Sequence, residues 1–178
     1  MNTKSFKNVT QDIILSEKTT KEKQQAICDF LQSEISYYDW VGFYFKNGEK
    51  EELKLAEFTG EPTEHTIIPF GKGICGQVAV SNESFIVQDV TEQENYISCG
   101  WKVKSEIVIP IFVNGENIGQ IDIDSHSVHP FSKILEKGCT DSLYGVKSKC
   151  ILNIVPKNTR GKTFQIDKKC LVKRKKKD

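Results

Sequence analysis

The sequence predicts an α+β fold in which a central antiparallel sheet is flanked by helices. Two Asn-Gly pairs, Asn47-Gly48 and Asn114-Gly115, each separate two runs of aromatic and β-branched residues. Such pairs reverse the chain in tight hairpins because both residues tolerate a positive φ. One helical stretch precedes the first hairpin and a shorter one lies between the two. This order of elements is typical of α+β domains, and 178 residues suit one domain with a tail.

The first predicted helix covers residues 19–36. Thr19 and Glu22 form a capping box, in which a hydroxyl and an acid three residues later satisfy the first backbone donors. Apolar residues then recur at helical spacing, and Cys28 beside them is interpreted as a small packing residue. The aromatic and β-branched runs that follow predict strands, and these strands cover 40–45, 53–58 and 66–69.

The second half of the predicted domain continues with a short helix at 73–80 and a strand at 85–87. A polar loop with a turn of helix follows at 91–99. The second hairpin pairs two strands, predicted at 106–113 and 117–124. After Phe131 no periodic pattern is sustained. We therefore expect one domain over residues 1–131.

The charge distribution marks residues 132–178 as an irregular basic tail that is poorly ordered. Residues 1–131 hold 11 Lys and no Arg against 20 acids, a net charge of 11 − 20 = −9. Residues 132–178 hold 14 Lys and Arg against 4 acids, a net charge of 14 − 4 = +10. Such asymmetry is typical of an appended tail. Because no aromatic residues are interleaved with its basic residues in a known motif, it does not indicate a nucleic-acid partner.

The rest of the composition indicates a cytoplasmic protein without a cofactor. No apolar run is long enough to span a membrane, and the first residues lack the apolar core of a signal peptide. The six cysteines are therefore expected to be free, catalytic or metal-bound rather than disulfide-bonded. No two of them have Cys-x-x-Cys spacing, which disfavours a zinc site, and no metal is expected.

Residues Gly71 to Gly76 match a Gly-x-Gly-x-x-Gly pattern, and Cys75 lies within it. A dinucleotide site would need a full crossover helix and further βα units, whereas hairpins follow here. The glycines instead let the chain turn tightly into a helix whose first turn carries Cys75. Since a helix N-terminus stabilises a thiolate, Cys75 is a candidate redox residue, with a purely structural role as the alternative.

A second candidate thiol, Cys99, is predicted to lie in the polar loop. Lys102 and Lys104 are close in sequence, and nearby cations lower the pKa of a thiol. These observations alone also allow a structural role for Cys99.

Three acids stand at the ends of apolar runs, where a chain that needed only a core would rarely place them. Asp122 and Asp124 alternate with isoleucines, so both carboxylates share one face of a strand. The Asn114-Gly115 hairpin places Glu106 beside them. Like charges brought together need a cationic ligand or a shared proton. The alternative is that the acids lie on a solvated face. For the aromatic residues Trp40 and Tyr44, the two alternatives are the wall of a pocket and the core.

Together these motifs resemble the free methionine-(R)-sulfoxide reductases, a branch of the GAF-domain superfamily. The similarity covers about residues 19–131 and rests on five segments in order. They are Trp40-Val-Gly-Phe-Tyr44, Pro69-Phe-Gly-Lys-Gly-Ile-Cys75-Gly, Ile97-Ser-Cys99, Ser105-Glu-Ile-Val-Ile-Pro110 and Ile118-Gly-Gln-Ile-Asp-Ile-Asp124-Ser. The resemblance implies a GAF-like antiparallel sheet flanked by helices.

The resemblance also implies the reaction and its residues. It implies that Cys99 is the nucleophile that reduces free L-methionine (R)-S-oxide, and Cys75 matches a further cysteine of the family. Glu106, Asp122 and Asp124 match the acids that bind the substrate amino group. Trp40 and Tyr44 match the aromatics around its methyl group. Thioredoxin or a small thiol is the implied reductant, and a homodimer is compatible with the resemblance.

Three departures from the family pattern keep a second interpretation open. His65 stands where the family has its usual resolving cysteine, Gly100 and Val103 replace Asp and Ser, and residues 132–178 supply no closing amphipathic helix. The alternative is a non-catalytic GAF module that binds a small ligand or senses redox state.

Overall fold

The computed structural model describes residues 3–94 and 102–131. Two helices, α1 and α2, precede the first strand, and a third, α3, stands in the sequence between the third and fourth strands. The helices are α1 (Thr3–Leu15), α2 (Thr20–Glu34) and α3 (Gly73–Ser81), and a short 3-10 helix covers Val90–Glu92. The strands are β1 (Trp40–Lys46), β2 (Glu52–Thr59), β3 (Ile67–Pro69), β4 (Phe85–Val87), β5 (Ser105–Val113) and β6 (Glu116–Ser125).

The strands form one six-stranded sheet in the order β3-β2-β1-β6-β5-β4. All five pairings are antiparallel. The two hairpins, β1–β2 and β5–β6, lie side by side because β1 also pairs with β6. This arrangement confirms the predicted α+β class with a central antiparallel sheet.

Helices cover both faces of the sheet, and each face has its own hydrophobic core. On one face α1 and α2 pack against alternate strand residues, including Ile121 and Ile123 of β6. On the other face α3 packs against β3, β5 and β6, and its cluster contains Cys75 and Tyr44. Because side chains alternate along a strand, residues of β6 between the isoleucines point towards the face that carries α3.

The sequence-based boundaries of the elements agree closely with the structure. Thr19 caps α2 as predicted: its backbone N–H donates to Glu22 Oε2 over 2.7 Å, and its Oγ1 accepts from the Glu22 N–H over 3.3 Å. Cys28 lies on the buried side of α2 and is completely buried in the core, which confirms its packing role. Gly115 adopts φ 81°, a left-handed conformation that explains why glycine stands in the second hairpin turn.

The helix α1 was not predicted from the sequence. Its residues include β-branched Thr and Val, which have modest helix propensity, and its first turn contains no acidic residue. The helix is held by tertiary packing instead, since Ile14 is 1% exposed in the core that α1 shares with α2. In the described part of the chain, no helix combines the length and apolarity that a membrane crossing requires.

Two predictions fall outside the described residues. The basic tail at 132–178 is one of them, and most of the loop that carries Cys99 is the other. The 3-10 helix at Val90–Glu92 accounts for the predicted turn of helix near the start of that loop.

Candidate functional site

Three buried carboxylates form the centre of the site. Asp122 and Asp124 are 1% and 3% exposed and lie on the face of β6 opposite Ile121 and Ile123. Glu106 of β5 is 2% exposed and pairs directly with Asp124 across the hairpin. The expected convergence of the three acids is therefore observed, and they do not form a solvated face.

Burial changes the protonation of all three acids. For each acid, burial is the largest cause of a raised pKa, because a charged carboxylate loses its hydration inside the protein. Burial raises the pKa of Asp122 to about 7, against smaller lowering effects of hydrogen bonds from Cys75 and Ile123. The pKa values of Glu106 and Asp124 are also raised well above normal by burial and by the neighbouring Asp122.

Cys75 lies beside the acids, in the first turn of α3. Its thiol is 4% exposed and donates a hydrogen bond to Asp122 Oδ2 over 3.2 Å. One potential ligand atom from each of Cys75, Glu106 and Asp122 lies within 4.8 Å of the others. Among the described residues, this is the group that has the composition and spacing to hold a metal ion.

Trp40 and Tyr44 of β1 form an aromatic wall beside the acids. Their ring centroids are 6.3 Å apart, and both residues line a cavity of about 150 Å³ together with Asp122 and Asp124. Gly42 lies between them, and a Cβ at this position would come within 2.2 Å of the Trp40 ring. A glycine is therefore required for the indole to lie flat against the strand.

Hydrogen bonds fix the outer edges of both aromatic residues. The Trp40 indole N–H donates to the backbone carbonyl of Glu61 over 3.1 Å. The Tyr44 hydroxyl donates to the carbonyl of His65 over 2.9 Å. The loop between β2 and β3 is therefore held against the cavity by the aromatic wall.

Four residues around the cavity mouth were not predicted as site residues from the sequence. Lys102 forms an ion pair with Glu61, and the His126 ring nitrogen Nδ1 lies 3.3 Å from Asp39 Oδ1. All four residues line the cavity. They belong to loops or strand ends, where periodicity gives no signal. The available signs were that Asp39 and His126 are close in sequence to Trp40 and Asp124, and that Lys102 is close to Cys99.

The predicted nucleophile, Cys99, lies outside the described residues. The described residues resume at Lys102, three positions after Cys99. Lys102 and Val103 both line the cavity. On the other side of the acids, a small cavity of about 20 Å³ is lined by His65, Cys75 and Glu106. His65 and Cys75 thus line the same small cavity.

Comparison with known proteins identifies the family of this fold. A model of the GAF domain matches residues 17–136. The free methionine-R-sulfoxide reductase of Saccharomyces cerevisiae is 40% identical over 98 residues, which are 54% of this chain and 54% of that protein.

Two solved structures are similar over more of the chain. A type II free methionine-R-sulfoxide reductase from Thermoplasma acidophilum is 35% identical, with a TM-score of 0.66 over 76% of this chain and 95% of that one. The Neisseria meningitidis free methionine-R-sulfoxide reductase, solved in complex with its substrate, is 29% identical, with a TM-score of 0.71 over 85% of both chains. The chain therefore belongs to the GAF domain family, in the branch of the free methionine-R-sulfoxide reductases.

Proposed function

We propose that this protein reduces free L-methionine (R)-S-oxide to methionine, with a thiol as the electron donor. The observation that carries the proposal is the cavity in which buried Asp122 and Asp124 face the aromatic pair Trp40 and Tyr44. The relatives named free methionine-R-sulfoxide reductase support the same substrate.

The acids bind the ammonium group of the substrate. Asp122 Oδ1 and Asp124 Oδ1 are buried, and no described residue donates a hydrogen bond to them. Buried acceptors without a donor are costly, and an ammonium group supplies three donors together with a positive charge. Trp40 and Tyr44 then provide an apolar surface for the methyl group of the substrate. This division matches the two ends of a free amino acid whose side chain ends in a methyl sulfoxide.

Cys99 is the nucleophile in this proposal. Its thiolate attacks the sulfoxide sulfur, and a protonated carboxyl of the acid group gives a proton to the departing oxygen. The oxygen leaves with the cysteine as a sulfenic acid. The substrate sulfur gains two electrons, and the cysteine sulfur loses them. The raised pKa values of Glu106, Asp122 and Asp124 support a carboxyl that still holds a proton near neutral pH.

A second thiol returns Cys99 to its reduced state. Condensation of Cys75 with the sulfenic acid forms a disulfide and releases water, and thioredoxin or a small thiol then reduces the disulfide. In this proposal the protein acts in a reducing compartment such as the cytoplasm, where thiols such as those of Cys75 and Cys99 stay reduced. The catalytic unit in this proposal is the domain that ends near Phe131.

The test is the loss of each epimer of free methionine sulfoxide over time, with dithiothreitol and with thioredoxin in separate reactions. We expect consumption of the R epimer and none of the S epimer. Binding of the R epimer without turnover under either reductant would contradict the enzyme and favour a ligand-binding GAF module.

A further inference from the structure

Cys75, Glu106 and Asp122 bring a thiol together with two carboxylates. The thiol has no part in binding an ammonium group. The three side chains come from α3, β5 and β6, and each is at least nine-tenths buried. One ligand atom from each lies within 4.8 Å of the other two. Three separate elements of the fold therefore aim a sulfur and two carboxylate oxygens at one point.

An unsatisfied oxygen of Asp122 supports a ligand at this carboxylate. Asp122 Oδ2 accepts the hydrogen bond of the Cys75 thiol. The other oxygen, Oδ1, is buried and has no hydrogen-bond partner among the residues that the structure describes. A buried carboxylate oxygen without a donor or a cation costs free energy. A cation coordinated by this oxygen would remove that cost.

The donor set favours a particular class of cation. Ca²⁺ and Mg²⁺ take oxygen ligands almost exclusively, so a cysteine sulfur is not a ligand for them. Zn²⁺ binds Cys sulfur at about 2.3 Å and carboxylate oxygen at about 2.0–2.2 Å, and three protein ligands are usual in its open sites. His65 lines the small cavity with Cys75 and Glu106, and imidazole is a further ligand type for zinc.

We propose that Cys75, Glu106 and Asp122 form a binding site for a borderline divalent transition-metal ion, with Zn²⁺ as the best match. The thiol proton of Cys75 is released when the metal–sulfur bond forms. A metal bound to Asp122 occupies the carboxylate that the proposed substrate ammonium needs, so metal and substrate exclude each other. This competition rests on the proposed function, whereas metal binding itself does not.

Titration with Co²⁺ tests the site without any need for turnover, because thiolate bound to Co²⁺ gives a charge-transfer band in the near ultraviolet. The full-length chain is stripped with EDTA and kept reduced with a phosphine. We expect a band that saturates with one equivalent of Co²⁺ and disappears when Zn²⁺ is added. The band should be absent in Cys75→Ser and retained in Cys28→Ser, which changes the other described cysteine. It should also persist when Cys139, Cys150 and Cys170 are all replaced by Ser.

Two carboxyl variants keep the test decisive even if Cys75→Ser does not fold. Glu106→Gln and Asp122→Asn should each weaken Co²⁺ binding at least about tenfold, the lower limit for loss of even a supporting group. Glu116→Gln, at the exposed start of β6, should leave the affinity unchanged. A band absent from the wild type, a band that survives in Cys75→Ser, or wild-type affinity in both carboxyl variants would each overturn the proposal. Metal binding by a protein without reductase activity would overturn the proposed function alone.

Discussion

The thiol of Cys75 donates a hydrogen bond to Asp122 Oδ2 over 3.2 Å. This contact joins the first turn of α3 to the middle of β6, two elements that are 47 residues apart in the chain. It places a potential redox group directly against an acid of the proposed substrate site. The state of Cys75 and the proton or charge on Asp122 are therefore expected to affect each other.

Replacement of Cys99 by Ser should abolish turnover with dithiothreitol as the reductant, because a hydroxyl is not an adequate nucleophile towards the sulfoxide sulfur. The measurement is loss of free methionine (R)-S-oxide at saturating dithiothreitol. Cys28→Ser is the matched control, since Cys28 lies in the core on the opposite face of the sheet, and a folded control should keep its activity. Near-wild-type turnover by Cys99→Ser would remove this residue from the mechanism.

Replacement of Asp122 or Asp124 by Asn should lower kcat/KM. Each change removes a charge that faces the substrate ammonium, a charge-assisted interaction of ~1.5–3 kcal/mol. That range corresponds to about 10- to 150-fold in kcat/KM. The control is Glu116→Gln, which removes an exposed carboxylate from the same strand. If both aspartate variants retained the wild-type kcat/KM, the substrate would have to bind elsewhere.

The position of these acids could be predicted from the sequence because it depends on local rules. Alternation with Ile121 and Ile123 assigns Asp122 and Asp124 to one face, and the Asn-Gly turn fixes the strand that lies beside them. The residues of the cavity mouth, such as Lys102 and His126, are placed by loops that follow no period. Likewise α1 is stabilised by packing of Ile14 rather than by caps or propensity, so its sequence carries little signal.

The buried acids should make the protein less stable as the pH rises. Burial raises the folded-state pKa of Asp122 to about 7 from a usual value of 3.8, so the folded state binds more protons than the unfolded state between these values. The free energy of unfolding then falls with pH over this window. Asp122→Asn removes this contribution, and its stability relative to wild type should therefore increase from pH 4 towards about pH 7.

Urea unfolding at several pH values, with EDTA present, measures this difference. Glu116→Gln, which removes an exposed carboxylate from the same strand, is measured over the same range as the control. A stability difference for Asp122→Asn that did not change with pH would mean that the Asp122 pKa is ordinary in the folded state.

The basic tail should be removable without loss of the domain. We predict that limited proteolysis trims residues beyond about 140 and leaves a resistant core that ends near residues 131–135. The reason is compositional: the segment is strongly basic and shows no sustained amphipathic period. Mass spectrometry of the fragments locates the boundary. A second protease that does not cleave at Lys or Arg controls for the many basic residues of the tail. Equal resistance along the whole chain would contradict the proposed domain limit.

We propose that recycling of the enzyme depends on Cys75 or on a small thiol, since the family resemblance implies that His65 stands in place of the usual resolving cysteine. A disulfide requires Cα atoms within roughly 7 Å. Cys28 belongs to the core on the far face of the sheet, whereas Cys75 lies on the face of the site. Of the two cysteines in the described residues, Cys75 is therefore the one positioned to act on a nucleophile at the cavity.

We predict that dithiothreitol supports turnover better than thioredoxin does. A small thiol attacks a sulfenic acid directly, while thioredoxin acts best on a disulfide. Where Cys75 resolves the intermediate, treatment with substrate should leave a Cys75–Cys99 disulfide that peptide mass mapping detects. Cys75→Ser should then lose the thioredoxin-driven rate and keep more of the rate with dithiothreitol. Strong thioredoxin-driven turnover that survived both Cys75→Ser and removal of the tail would place the resolving thiol elsewhere, since neither Cys75 nor a tail cysteine would remain to supply it.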